Sequence, residues 1–293
     1  MRRWLKSGGL FLLTALALPA PGGCASLPST RTPVRSSDQA AAPDPVTPHD
    51  SFTMESATLR ESRRINVYTP PGYSAAGATP YPVLYMPDGG MQEDFPHVTA
   101  TVDAAIRAGE MRPVIVIGIE NTERRRDTTG PTEVEEDRKI APRVGGSAAF
   151  RHFIADELMP RVRGRYRVTD ETAIIGESLA GLFVMETFFL QPELFDTYVA
   201  LSPSLWWNDE ELVRKAAERL RARPELRRTL YFSSAGNDIG PTTARLAEIL
   251  RANAPAGLRW RYVPRPDLRH DNIYRASSPQ VLRELFAPGA GKR

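Results

Sequence analysis

Short continuous apolar segments alternate with helix-like segments over residues 52–286, and this alternation limits the chain to few architectures. Val83–Met86 and Val114–Ile117 are uninterrupted apolar runs, which are typical of strands buried on both faces of a parallel sheet. Repeated strand and helix segments predict βαβ units, and therefore an α/β fold with a mostly parallel central sheet and helices on both faces. About 200–250 residues suffice for one such domain, so we expect a single folded domain at residues 51–287.

Residues 176–181 read Gly-Glu-Ser-Leu-Ala-Gly and lie between a predicted buried strand and a predicted helix. This is the G-x-S-x-x-G variant of the nucleophile elbow, in which a serine occupies a tight strand-to-helix turn. Small residues at Gly176, Ala180 and Gly181 allow the backbone segments of such a turn to approach closely. The placement predicts Ser178 as a nucleophile. A serine that only caps a helix is the other interpretation of the pattern.

Histidine is scarce in this chain, and the positions of its four histidines identify a candidate base. A serine hydroxyl is a weak nucleophile and needs an adjacent base. His49 falls in the N-terminal segment, His97 follows an early loop, and His152 lies in a predicted helix before the nucleophile. Only His270 follows the last predicted strand, where the order Ser, acid, His puts the base. We therefore expect His270 to be the base rather than an ordinary solvated loop residue.

Asp238 is the candidate acid, because it follows a predicted strand at residues 229–232 and precedes His270. An acid at this place orients the imidazole and stabilises its protonated form. The local sequence Gly236–Asp238 would also form an ordinary turn. A Ser–His dyad without a protein acid stays open. Rival carboxylates are those of Glu177, Asp267 and Asp271.

Backbone N–H groups are expected to stabilise the oxyanion of a tetrahedral intermediate. One should be that of Leu179, directly after the nucleophile. The second should come from the loop after Val83–Met86, where Gly89 and Gly90 let the backbone approach a substrate closely. Gly90 or Met91 is the predicted donor. The same glycines would also suit a tight turn without this role.

Four segments of the chain resemble a known family of esterases: residues 83–89, 118–128, 176–181 and 201–207. Their content and order are similar to those of the α/β-hydrolase esterase family that includes esterase D and the enterochelin and salmochelin esterases. The resemblance implies an α/β-hydrolase fold without a large cap domain, ester hydrolysis, no cofactor, and catalytic roles for Ser178 and His270. It leaves the acid open, since some siderophore esterase relatives work without one. This chain departs from the common pattern at Glu177.

An aromatic pair and a run of arginines are candidate substrate contacts. Trp206 and Trp207 follow a predicted strand end, so their rings should lie near the active-site face and bind an acyl or aromatic group. Packing beneath the following helix is the other interpretation. Arg124 begins a run of three arginines suited to an anionic substrate. Such a run is more often a solvated loop. We expect no metal site.

Residues 1–25 have the composition of a signal peptide, with a basic start followed by an apolar stretch at Leu10–Leu18. Cys24 is the only cysteine. It is either lipidated, as in bacterial lipoproteins, or removed by ordinary cleavage near Ala25. Residues 26–50 are rich in Pro, Ser, Thr, Ala and Asp and are expected to form a disordered tether, with a frayed tail at 288–293. We expect an exported protein, periplasmic or anchored to the cell envelope through Cys24.

Composition narrows the classes of function. The net charge of +3 is small, and no basic run carries interleaved aromatic residues, so nucleic-acid binding has little support. We expect a serine-dependent carboxylic ester hydrolase that acts through an acyl-enzyme on a small ester, such as a siderophore lactone, a feruloyl–sugar ester or an acyl ester. A serine peptidase or acyltransferase of the same fold stays open. So does a surface lipoprotein that binds a ligand without turnover.

Overall fold

A computed structural model of the chain describes residues 44–236 and 240–289. The predicted signal peptide, Cys24, residues 26–43 of the predicted tether, Asp238 and residues 290–293 lie outside the described residues. None of the described helices has the length and hydrophobicity that crossing a membrane requires.

Eight strands within the described residues form one central sheet. In chain order they are β1 (Asp50–Ser56), β2 (Glu61–Tyr68), β3 (Tyr81–Pro87), β4 (Ile115–Ile119), β5 (Val168–Glu177), β6 (Thr197–Leu201), β7 (Thr229–Ala235) and β8 (Arg259–Arg265). Across the sheet their order is β1-β2-β4-β3-β5-β6-β7-β8. β2 pairs antiparallel with β1 and β4, and the remaining neighbours pair parallel.

The predicted apolar runs form the centre of this sheet. Val83–Met86 lies in β3 and Val114–Ile117 leads into β4, and the side chains of both runs are buried. Alternate side chains of these strands enter two separate hydrophobic cores, one on each face of the sheet. A strand with both faces covered cannot alternate apolar and polar residues, which explains the continuous runs.

Helices cover both faces of the sheet. One core is closed by α1 (Phe95–Arg107) and α10 (Ile273–Leu285). The helical elements between them in the chain are α2 (Arg124–Thr128), α3 (Glu135–Arg138), α4 (Ser147–His152), a π-helical turn (Phe153–Leu158), α5 (Met159–Arg165), α6 (Ser178–Leu190), α7 (Trp207–Arg214), α8 (Ala216–Arg221) and α9 (Gly240–Asn253). Residues of α4 to α9 pack into the second core.

The predicted α/β-hydrolase fold is confirmed by this arrangement of a mostly parallel sheet between two helical layers. No large cap domain occurs in residues 44–236 or 240–289. The carboxyl ends of parallel strands meet at one edge of a sheet. The turn after β5 and the loops after β3, β6, β7 and β8 therefore lie together at that edge.

Residues 44–49, which the sequence assigned to the tether, pack against the domain. Thr47 is 9% exposed and its hydroxyl donates to Thr99 Oγ1 at 2.8 Å. Asp44 forms an ion pair with Arg275 of α10 at 2.5 Å, and its carboxylate lies 3.7 Å from His97 Nδ1. The folded part of the chain therefore begins before β1.

α7 begins with a turn that the sequence did not predict. Asn208, Asp209 and Glu210 have positive φ angles of 49°, 49° and 58°. Left-handed backbone at a non-glycine residue costs about 1–3 kcal/mol. Hydrogen bonds offset this strain: Asn208 N–H donates to Asp137 at 2.8 Å, and Glu133 N–H donates to Asn208 Oδ1 at 3.0 Å.

Candidate active site

The turn between β5 and α6 holds Ser178 in a left-handed backbone conformation, with φ at 58°. Residues other than glycine adopt this conformation rarely, and close packing around the turn maintains it here. A Cβ on Gly176 would lie 2.7 Å from the backbone of Ala180, and one on Gly181 would lie 3.1 Å from Pro203 Cα. Small residues are therefore required around Ser178.

Ser178 Oγ lies 2.9 Å from His270 Nε2, although the two residues are 92 positions apart in the chain. His270 belongs to the loop between β8 and α10, and Asn272 is the N-cap residue of α10. The distance allows the serine hydroxyl to donate to an unprotonated Nε2. A nucleophile and its general base need this contact.

A short loop after β6 contacts both members of this pair. Ser202 Oγ lies 3.1 Å from His270 Nδ1, and Ser204 Oγ lies 3.4 Å from Ser178 Oγ. Ser202 is fully buried with φ at 45°, and its N–H donates to the Ser233 carbonyl at 3.0 Å. Sequence reasoning gave neither serine a role. The available signal was the Ser-Pro-Ser sequence that follows a predicted strand end.

Glu177 approaches the imidazole from the side of the nucleophile. Its Oε1 lies 3.4 Å from His270 Nε2, and its side chain is 17% exposed. A triad acid accepts a hydrogen bond from Nδ1 instead, so the observed position of Glu177 differs from that of a triad acid. Asp238 lies outside the described residues. The other two rival carboxylates form ion pairs with adjacent arginines, Asp267 with Arg265 and Asp271 with Arg269.

The expected oxyanion donors lie on two elements. The N–H of Leu179 belongs to the first turn of α6, where backbone N–H groups have no acceptor within the helix. In the loop after β3, the Gly90 N–H donates to Glu93 Oε2 at 2.7 Å. That contact occupies the Gly90 N–H, which makes Met91 the better candidate of the two expected donors. The loop runs close to β4, since a Cβ on Gly89 would lie 2.3 Å from Gly118 Cα.

Arg124 joins the loops after β3 and β4. Its Nε lies 2.7 Å from Asp88 Oδ1 and its Nη2 lies 2.8 Å from Asp88 Oδ2. Asn121 also donates to Asp88 Oδ1, at 2.6 Å. About a third of the Arg124 side chain remains exposed. The other two arginines of the run are also engaged: Arg125 donates to the Ile140 carbonyl, and Arg126 pairs with Glu61 and Asp127.

Several carboxyl groups lie close enough to Asp88 for their charges to interact. Burial raises the pKa of the Glu93 carboxyl. Burial, followed by the charge of Asp88, raises the pKa of Asp94 to about 6. The buried Tyr274 hydroxyl has a raised pKa, first because of burial and then because of Asp94, Asp88 and Glu177. Asp88, Glu93 and Asp94 therefore act on one another, and Glu177 acts on the Tyr274 hydroxyl together with Asp88 and Asp94.

The two tryptophans have different surroundings. Trp206 is 40% exposed, whereas Trp207 is 5% exposed. The Trp207 indole N–H donates to the Gly130 carbonyl at 2.9 Å, and the ring lines a cavity of about 390 Å³ together with Leu182 and Leu212. The Trp207 indole thus packs within the domain, and Trp206 is the member of the pair that faces solvent.

The other histidines contact groups unrelated to Ser178. His97 is buried, which lowers its pKa, and its Nε2 lies 2.9 Å from Ser278 Oγ. His152 is exposed and lies 3.2 Å from Asp156, its neighbour one helical turn along. Among the described residues, no three His, Cys, Asp or Glu side chains form a group that could hold a metal ion.

Comparison with known proteins identifies relatives of the chain. Residues 56–249 match the family model described as "Putative esterase". The ferri-bacillibactin esterase BesA of Bacillus subtilis is 29% identical over 192 residues, 57% of this chain and 64% of that protein. The siderophore triacetylfusarinine C esterase of Aspergillus fumigatus is 31% identical over 155 residues, 48% of this chain and 50% of that protein. The chain thus spans less than two thirds of the length of these curated relatives.

The structure is also similar to a crystal structure of an IroE-like serine hydrolase from Shewanella oneidensis. The two superpose with a TM-score of 0.73 and 27% sequence identity, over 82% of this chain and 80% of the other. This likeness supports the α/β-hydrolase fold described above.

Proposed function

This chain belongs to the putative esterase family, and we propose that it is a serine-dependent carboxylic ester hydrolase that acts through an acyl-enzyme. The observation that carries the proposal is the 2.9 Å contact between Ser178 Oγ and His270 Nε2. The serine occupies a strained turn at the carboxyl edge of the sheet, where ligands bind in folds of this class.

In the first half of the reaction, Ser178 Oγ attacks the ester carbonyl carbon and its proton passes to His270 Nε2. The carbonyl oxygen becomes an oxyanion, which the N–H groups of Leu179 and Met91 stabilise. Collapse of this intermediate breaks the bond to the alkoxy oxygen. The departing alcohol takes the proton from Nε2, and the acyl group remains on Ser178.

In the second half, water attacks the acyl-enzyme and gives its proton to His270 Nε2. The oxyanion forms again in the same place. Its collapse releases the carboxylic acid, and Ser178 Oγ recovers the proton from Nε2. The protein returns to its starting state, and the reaction requires neither a cofactor nor a metal.

We propose Asp238, two positions after Gly236 in the chain, as the acid. Two contacts of Gly236 support the proposal. The Gly236 N–H donates to the Leu268 carbonyl at 2.9 Å, and a Cβ on Gly236 would lie 2.4 Å from the Pro266 carbonyl oxygen. The chain that leads to Asp238 therefore packs directly against the loop that carries His270.

The relatives described above are named as esterases of siderophores, which supports small siderophore esters as candidate substrates of this chain. The solvent-exposed ring of Trp206 is suited to stack on an aromatic part of such an ester. We propose further that residues 1–25 direct export. Cys24 then either carries a lipid or leaves with the signal peptide, and mass spectrometry of the mature N-terminus distinguishes the two.

The test uses the purified protein and a chromogenic nitrophenyl ester. An acyl-enzyme mechanism is expected to release a burst of nitrophenol, and mass spectrometry should detect the acyl group on the peptide that contains Ser178. Ser178→Ala should lower turnover by a factor on the order of 10⁶, as removal of the nucleophile does in a comparable triad. A variant that keeps wild-type turnover, or a wild-type protein inert towards esters, contradicts the proposal.

A further inference from the structure

Glu177 brings a negative charge to the place where the ester bond breaks. It is the last residue of β5, directly before Ser178, and its Oε1 lies 3.4 Å from His270 Nε2. In the mechanism above, Nε2 exchanges a proton with both Ser178 and the departing alkoxy oxygen. A productive ester must therefore bind with its scissile bond within a few ångströms of the Glu177 carboxylate.

Two arginines among the described residues act on the carboxyl groups of this region, and each is paired with a carboxylate. The Arg124 guanidinium, whose charge acts on Glu177, forms a bidentate ion pair with Asp88. Arg275 acts on Asp94 but forms its ion pair with Asp44. Each of these two arginines is thus matched by a carboxylate of its own. Glu93, Asp94 and Glu177 are further carboxyl groups of this region.

An arginine-lined cavity is a second charged feature of this surface. Arg124, Arg125, Arg126 and Arg143 line a cavity of about 600 Å³. Of these, Arg126 pairs with Glu61 and Asp127, and Arg143 pairs with Glu123. Ser178, Glu177 and His270 do not line this cavity. The arginine-lined cavity is therefore separate from the reacting bond, which lies beside Glu177.

We propose that Glu177 makes this site selective for esters that are neutral or positively charged next to the scissile bond, and that it disfavours esters with an anionic group there. The proposal rests on the serine hydrolase mechanism described above. Two unit charges about 6 Å apart, at an effective dielectric constant of about 20–40, change a rate by roughly one to two powers of ten.

Three nitrophenyl esters with the same leaving group test the proposal. Their acyl chains have equal length and end in a carboxylate, a methyl ester or a trimethylammonium group. In the wild-type protein, kcat/KM should be lowest for the anionic ester. Glu177→Gln should raise the ratio of kcat/KM for the anionic ester to that for the neutral ester by about tenfold. High ionic strength should reduce the wild-type discrimination.

Two control variants separate charge from other effects. Glu177→Asp keeps the charge and should keep the discrimination. Glu248→Gln removes an exposed carboxylate on α9, 71% accessible in its side chain, and should change neither the rates nor their ratio. A ratio that is the same in wild type and Glu177→Gln, with the neutral ester still hydrolysed, overturns the proposal. A uniform loss on all three esters also overturns it, because that result would mean that Glu177 acts through His270 and not on the charge of the ester.

Different results would contradict the serine hydrolase mechanism and the role of Glu177. If the wild-type protein and Ser178→Ala release nitrophenol from the neutral ester at the same rate, the serine hydrolase mechanism is wrong and the selectivity falls with it. If the neutral ester turns over normally and only the charge discrimination is missing, the function stands and the role of Glu177 is wrong.

Discussion

The two nitrogens of the His270 imidazole face parts of the chain with different origins. Nε2 meets Ser178 and Glu177, which are adjacent in sequence and share one strand-to-helix turn. Nδ1 meets Ser202, which comes from the loop after another strand. A local turn thus determines the reactive side of the imidazole, whereas the docking of separate loops determines the orienting side. Substitutions on the Nε2 side are therefore expected to affect proton transfer most, and substitutions on the Nδ1 side to affect the orientation of the imidazole.

The largest effect should follow from removing the imidazole itself, because both sides lose their common partner. His270→Ala is expected to lower turnover on a nitrophenyl ester by a factor on the order of 10⁶. His152→Ala removes an exposed histidine on α4 and is the matched control, with turnover expected to be unchanged. Equal rates for the two variants would reassign the base.

The next effect concerns the orienting side. If Asp238 holds the Nδ1 proton, Asp238→Asn should lower turnover by roughly 10⁴, because an amide favours the wrong imidazole tautomer. The measurement is kcat at the pH optimum, with Glu177→Gln assayed on the same ester. A loss below about tenfold for Asp238→Asn, or a larger loss for Glu177→Gln, would show that the orienting side has no carboxylate at Asp238.

A smaller effect is expected from removing the Ser202 hydroxyl, which contacts His270 Nδ1. Ser202→Ala removes one hydrogen bond to the imidazole, and such a bond is worth about a factor of ten. The loss should appear in kcat with KM unchanged, because the contact is to the proposed base. Ser233→Ala is the control, since Ser233 is equally buried but its hydroxyl has no hydrogen-bond partner among the described residues. Matching rates for both variants would mean that Ser202 only packs.

The smallest effect tests the buried carboxyl group of Asp94. Because the folded protein raises the pKa of Asp94 from 3.8 to about 6, the ionised carboxylate opposes folding. The contribution of Asp94 to the free energy of unfolding therefore falls as pH rises from about 4 to about 6, and it stays low above pH 6. Asp94→Asn should raise the free energy of unfolding at pH 7.5 by about 1 kcal/mol, once solvent screening is allowed for, and should change it little at pH 4. Denaturant unfolding at the two pH values measures this, and a stabilisation that is the same at both would contradict it.

The sequence alone was informative where one local pattern determines the structure. The buried strands β3 and β4 follow from continuous apolar runs, and the turn at Ser178 follows from the small residues around it. β1 is different, because it lies at the sheet edge with most of its side chains exposed or half-exposed and has no continuous apolar run. Residues 44–49 resemble a tether in composition, and only their contacts with α1 and α10 reveal that they are packed.

The rest of the site depends on contacts between residues distant in sequence. The left-handed turn at Asn208–Glu210 contains no glycine, and hydrogen bonds from the 133–137 segment maintain it. The contact between Ser202 and His270 joins residues 68 positions apart. Nothing in the composition of the Ser-Pro-Ser loop distinguishes a serine that touches an imidazole from one that only packs, so neither Ser202 nor Ser204 could be identified beforehand.

The base and the nucleophile are carried by strands of unequal local stability. Ser178 follows β5, a central strand buried at its end, whereas His270 follows β8, an edge strand whose side chains are exposed or half-exposed. Edge elements open with a smaller free energy than central ones, and they exchange their amide hydrogens sooner. Mild heating can therefore withdraw His270 from Ser178 while the central sheet stays folded. Thermal inactivation of this protein would then be a reversible local event that precedes the melting of its secondary structure.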